Sequence, residues 1–167
     1  MASAVKIGHG RIMAAMVLAA LVAVCTTSSC SPQQHSSGYF SPINAGEGWD
    51  RSMPIVFEPQ YNDSSATYDI VVAVRHTHSY EYSNLHVVVD LMADSNRIAC
   101  RIPAQFDVAD EYGNWHGTGF GTFFQCKTMV AQDVSPSQAR KVVIWQAMAD
   151  TVALRHITEV GIIVSKH

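Results

Sequence analysis

The residues able to carry chemistry in this chain of 167 amino acids are four cysteines, eight histidines and aromatics gathered around glycines. His76 and His78 lie at i and i+2, so on a strand they would share one face and could form half of a zinc site. No His-Glu-x-x-His, paired Cys-x-x-Cys or Asp-rich calcium loop completes such a site, and surface-exposed strand-end histidines are the preferred reading. No metal and no cofactor is expected. Gly117-Thr118-Gly119-Phe120-Gly121 is glycine-rich but lacks the Lys-Ser/Thr of a P-loop. Trp115 before it and Phe123 and Phe124 after it suggest aromatics crossing over small residues instead. Asp107, Asp110 and Glu111 are close enough for paired-carboxylate hydrolysis, though turn residues explain them more simply. There is no Gly-x-Ser-x-Gly elbow and no evidently activated cysteine, so no catalytic residue is assigned. The expected binding surface is aromatic: Tyr80 and Tyr82, outward if Leu85 points inward, with Trp115 and His116. Such a strip could take a sugar or a protein partner; a corner in which tyrosine hydroxyls satisfy loop backbone is the alternative reading and is preferred to it.

The cysteines divide by position. Lys6 and Arg11 precede an uncharged apolar run, Ile12 to Val24, of signal-peptide length. Thr26-Thr27-Ser28-Ser29-Cys30 follows, with small residues directly before the thiol, and resembles the lipobox at which bacterial lipoproteins are cleaved and acylated. Residues 1–29 are read as a lipoprotein signal peptide, Cys30 as the lipidated residue, and 30–38 as a polar tether. The tether lacks an acidic cluster, and Ser31 is not the aspartate of inner-membrane retention. Both points favour lipid anchorage in the periplasmic leaflet of the outer membrane. Cys100 and Cys126 remain in the body, either as a disulfide worth about 3 kcal/mol or as two separate buried thiols.

The elements that must position these residues are strands. Tyr68, Ile70, Val72 and Val74 alternate with Asp69, Val71, Ala73 and Arg75, and Leu85 to Leu91 repeats the pattern. Further strands are expected near 97–103, 117–128, 140–148 and 159–165, with a short edge strand at 55–58 between prolines. Residues 149–156 could hold one helical turn. The expectation is an all-β fold, a single antiparallel β-sandwich of about six to eight strands over residues 39–167. Charged residues make up 15% of the chain, against about 25% on average. Cleavage before Cys30 would remove Lys6 and Arg11 and no acid, leaving a net charge near −5. Such a body has no electrostatic footprint for nucleic acid.

Arg75 with Tyr80-Glu81-Tyr82-Ser83-Asn84-Leu85, then Asp110 to Gly121, Gln146-Ala147-Met148 and Leu154 to Ile162, resembles the GldH gliding-motility lipoprotein family of Bacteroidetes. These stretches together cover most of the body. The resemblance implies a non-enzymatic lipoprotein of the cell envelope. Its implied partners are the membrane, through the lipid anchor, and envelope proteins of the gliding or type IX secretion machinery. A carbohydrate-binding lipoprotein, with glycan as partner, is the second reading.

Overall fold

The computed structural model describes residues 36–167. The expected signal peptide, 1–29, and the expected lipidation residue Cys30 lie outside the described residues. Eleven strands run in chain order: β1 Ser36–Pro42, β2 Trp49–Asp50, β3 Ile55–Phe57, β4 Tyr68–Thr77, β5 Asn84–Met92, β6 Ile98–Asp107, β7 Thr118–Phe120, β8 Phe123–Val134, β9 Lys141–Gln146, β10 Ala153–Leu154 and β11 Ile157–Lys166. All pairings are antiparallel. One sheet has the order β1-β11-β4-β8-β7, a second β3-β9-β5-β6, and β10 with β2 forms a small third.

The period-2 pattern decides which side of each sheet faces in. Tyr68, Ile70, Val72 and Val74 on β4 are at most 5% exposed, as are Leu85, Val87, Val89 and Leu91 on β5. Val160, Ile162 and Val164 from β11 and Val142 and Ile144 from β9 join them in one cluster. The two larger sheets therefore bury their apolar faces against each other as a β-sandwich. Each fully buried aliphatic side chain contributes about 1.5–3 kcal/mol, so this alternation is the main source of stability.

Three expectations about elements need correction. The strand expected over 117–128 is two strands, because Gly121 adopts φ +62° and turns the chain between β7 and β8. Residues 149–156 hold no helical turn; Ala153 and Leu154 pair with Asp50 and Trp49 instead. Extended pairing wins there because Arg51 Nη2 gathers the carbonyls of Met148, Ala149 and Thr151, the last at 2.7 Å. Finally, β1 takes in Ser36–Gly38, which composition assigned to the tether. Backbone pairing with Ser165, Val164 and Ile163 needs no apolar side chain, so composition does not register it. The four strands of two or three residues bring the count above the expected range. The edge strand expected at 55–58 is β3, paired on β9 alone.

Candidate functional site

The expected binding residues converge on one corner of the sandwich, where β4 ends and β5 begins. His76 is the last inward-facing residue of β4 and is 1% exposed. Its ring lies 4.9 Å from Trp115, 5.4 Å from Tyr80 and 5.5 Å from Phe124, centroid to centroid. Nδ1 lies 3.0 Å from the Thr77 carbonyl, which makes it the protonated nitrogen, and Nε2 is buried without a partner. Desolvation pushes the His76 pKa below its ordinary value, so the ring is neutral at physiological pH.

Tyr80 is 4% exposed and donates its hydroxyl to the Asn84 carbonyl at 2.9 Å. Tyr82 is half-buried, its ring 5.7 Å from that of Tyr80. The outward placement expected for both tyrosines is therefore wrong for Tyr80. Parity counted back from Leu85 fails because residues 78–80 form a turn before β5, and a turn interrupts strand alternation. The corner in which a tyrosine hydroxyl satisfies loop backbone is the arrangement found. The reading of His76 as surface-exposed is likewise corrected; His78 is exposed and meets only the edge of Phe124. Among the described residues no third His, Cys, Asp or Glu ligand joins the two histidines.

Trp115 is brought over His76 by a short loop built from polar residues. The Asp110 carboxylate accepts from the backbone of Tyr112 at 2.9 Å and Asn114 at 2.8 Å, and from the Asn114 amide at 2.8 Å. The Asn114 bonds, side chain first, hold the Asp110 carboxyl below the ordinary carboxylate range. Gly113 closes the turn at φ +82°, and Ala109 then bridges to Trp115. Asp110 thus serves the turn, as the simpler reading of the carboxylate cluster expected. His116 is exposed, tied by its backbone nitrogen to the Val108 carbonyl at 2.8 Å. Gly117, at φ +87°, lets the loop press onto β8, since a Cβ there would collide with the Gln125 carbonyl.

Cys126 and Cys100 are free thiols. They stand on strands of different sheets, Cys126 opposite Val74 and Cys100 opposite Leu91, so the disulfide alternative is not realised. Cys126 is buried and directs its thiol at the His116 carbonyl, 3.5 Å away, while Cys100 is exposed. Burial raises the pKa of the Cys126 thiol and, as the largest cause, that of the Tyr80 hydroxyl. The corner thus holds a neutral imidazole, a protonated thiol and a protonated phenol. The thiol and the phenol are held in their non-nucleophilic forms near neutral pH, and the imidazole, though unprotonated at Nε2, is closed off from solvent.

Two clusters escaped the sequence reading. Asp69, Asp133 and His167 place ligand atoms within 4.8 Å of one another, with the imidazole nitrogens 3.7 and 3.6 Å from the two carboxylates. An ion pair accounts for that geometry once the histidine is protonated. Asp90, Arg101 and Trp145 meet on the outer face of the four-stranded sheet. Both clusters join residues far apart in sequence, and each residue alone reads as ordinary strand surface.

Comparison with known proteins addresses the whole domain. The family described as GldH lipoprotein matches residues 40–164. A protein named gliding motility lipoprotein GldH homolog, from Christiangramia forsetii, is 29% identical over 126 residues, covering 71% of this chain and 77% of the relative. The gliding motility lipoprotein GldH of Flavobacterium johnsoniae is 26% identical over 147 residues, covering 84% and 90%. Among solved structures, the tobacco streak virus coat protein is 8% identical with a TM-score of 0.31, covering 81% of this chain and 88% of that one.

Proposed function

Since this chain belongs to the GldH lipoprotein family, we propose that it is a membrane-anchored lipoprotein of the cell envelope. It acts there as a non-enzymatic interaction component of gliding or secretion-associated machinery. The observation that carries the reading is the family match over residues 40–164, which takes in nearly the whole sandwich. Burial at the aromatic corner supports the non-enzymatic part, because the Cys126 thiol and the Tyr80 hydroxyl stay protonated and His76 is closed off from solvent. Burial of Tyr80 favours a scaffold over a sugar platform at that corner.

In this reading Cys30 carries the lipid, and the sandwich faces the periplasm from the outer membrane. Cys30→Ala is expected to abolish lipid labelling and release the protein from membranes; an unlipidated wild-type protein would overturn the anchor. The partner reading is tested by a cross-linked pull-down of the tagged lipoprotein from outer membranes, quantifying proteins and glycans. Specific enrichment of gliding or type IX secretion components is the expected result. Glycan without those proteins would sink it.

A further inference from the structure

Asp90 points away from the core, between inward Val89 and Leu91, yet it is only 3% exposed. Two neighbours cover it. Arg101, opposite on β6, donates Nε to Oδ1 at 2.6 Å and Nη2 to Oδ2 at 2.7 Å. Trp145 on β9 donates Nε1 to Oδ2 at 3.1 Å. Removing a carboxylate from water at the surface of a sheet is costly unless it is fully paired. Here the pairing fixes two planar groups, the indole and the guanidinium, in set orientations.

Beside them Val88, Ala147 and Met148 line a shallow, open trough of about 350 Å³, which Arg51 also borders. Arg51 places Nη2 on three loop carbonyls, and among the described residues Nε and Nη1 have no protein acceptor. Among the described residues no carboxylate lies in ion-pair range of Arg51. The trough therefore holds two guanidinium charges against one carboxylate. Its uncommitted side-chain polar atoms are donors: both Asp90 oxygens are taken, while the Arg101 side chain is 59% exposed.

We propose that this trough binds an acidic saccharide, the C–H face of a sugar ring lying on Trp145 and its carboxylate directed to Arg51 and Arg101. A flat aromatic surface matches the apolar face of a pyranose. Guanidiniums as the free polar groups select a ligand that brings acceptors, and the excess positive charge selects an anion. The trough is open rather than a deep socket for a side-chain anchor, which disfavours a protein occupant. This site goes beyond the envelope role and does not depend on it.

The test is titration of the detergent-solubilised full chain with an oligogalacturonate, followed by calorimetry and tryptophan fluorescence. Its carboxyl-reduced form and polyglutamate serve as comparison ligands. Saturable binding that weakens with salt is expected, at least about tenfold tighter than for the reduced oligomer. Trp145→Leu should remove the fluorescence change. Ala147→Glu, at an exposed position of the trough, should weaken binding at least about tenfold with an unchanged melting curve. Absence of saturable binding, equal affinity for the reduced oligomer or polyglutamate, or indifference to Ala147→Glu would each overturn the site.

Discussion

Tyr80 donates to the Asn84 carbonyl from a buried position, so Tyr80→Phe should destabilise the domain by about 1–1.5 kcal/mol in denaturant melts. A binding residue on the surface would show no such loss. His76 makes a second prediction, about pH. Its folded pKa lies below the ordinary 6.5, so the unfolded chain takes up a proton before the folded one does. Stability is full above about 6.5 and falls as pH drops toward the depressed folded value. The groups around His76 are Tyr80, Trp115, Phe124 and the Thr77 carbonyl, with His78 adding a like charge that opposes protonation. The expected result is a lower melting temperature at pH 5 than at pH 7.5, with the difference reduced in His76→Leu. An unchanged difference would exclude His76 as its source. The types of these residues marked them in the sequence as candidates. Their burial was not legible, because it depends on where β4 stops and on a loop that returns some forty residues later.

At the scale of elements, glycines determine how closely backbones approach. Gly117 at φ +87° sits against the Gln125 carbonyl, whereas Gly113 at φ +82° has nothing within 4 Å of an added Cβ. Gly113→Ala should cost about 1–2 kcal/mol, the price of a left-handed alanine. Gly117→Ala should cost clearly more, because strain and collision add and the Trp115 loop must lift from β8. Equal melting temperatures for the two variants would contradict the close approach. Gly161 plays a related part between β1 and β11: Phe40 lies across it, and the Arg75 guanidinium stacks 4.5 Å from the Phe40 ring centroid. Arg75 also pairs with Glu159 and donates Nε to Gln125 Oε1 at 2.9 Å, tying three adjacent strands. The long strands were legible from period-2 alternation. The break at Gly121 and the β2–β10 pair were not, since one needs a positive φ and the other a partner a hundred residues away.

For the whole molecule, the direction of β1 sets an orientation. Ser36 pairs with Ser165 beside the start of β4, and β4 runs ten residues, about 33 Å, to the aromatic corner. Between Cys30 and Ser36 stand five residues, a reach of about 20 Å at most. If Cys30 carries the lipid, the end of the sandwich bearing Ser65 and Asp133 lies near the bilayer and the corner faces away. In a Cys100→Ser background, a fluorophore at Ser65→Cys should be quenched by spin-labelled lipid more than one at Asn114→Cys. The reverse order would refute this orientation. Sequence by itself determined the all-β class, the inward faces of β4 and β5 and the family resemblance. These rest on local alternation and on residue order, both written along the chain. Tertiary structure decided that Tyr80 and His76 are buried, that Cys100 and Cys126 stay apart, and that Asp90, Arg101 and Trp145 meet. Each of those outcomes depends on strand register and sheet packing between distant segments, and pairwise register is not encoded in the pattern of any one strand.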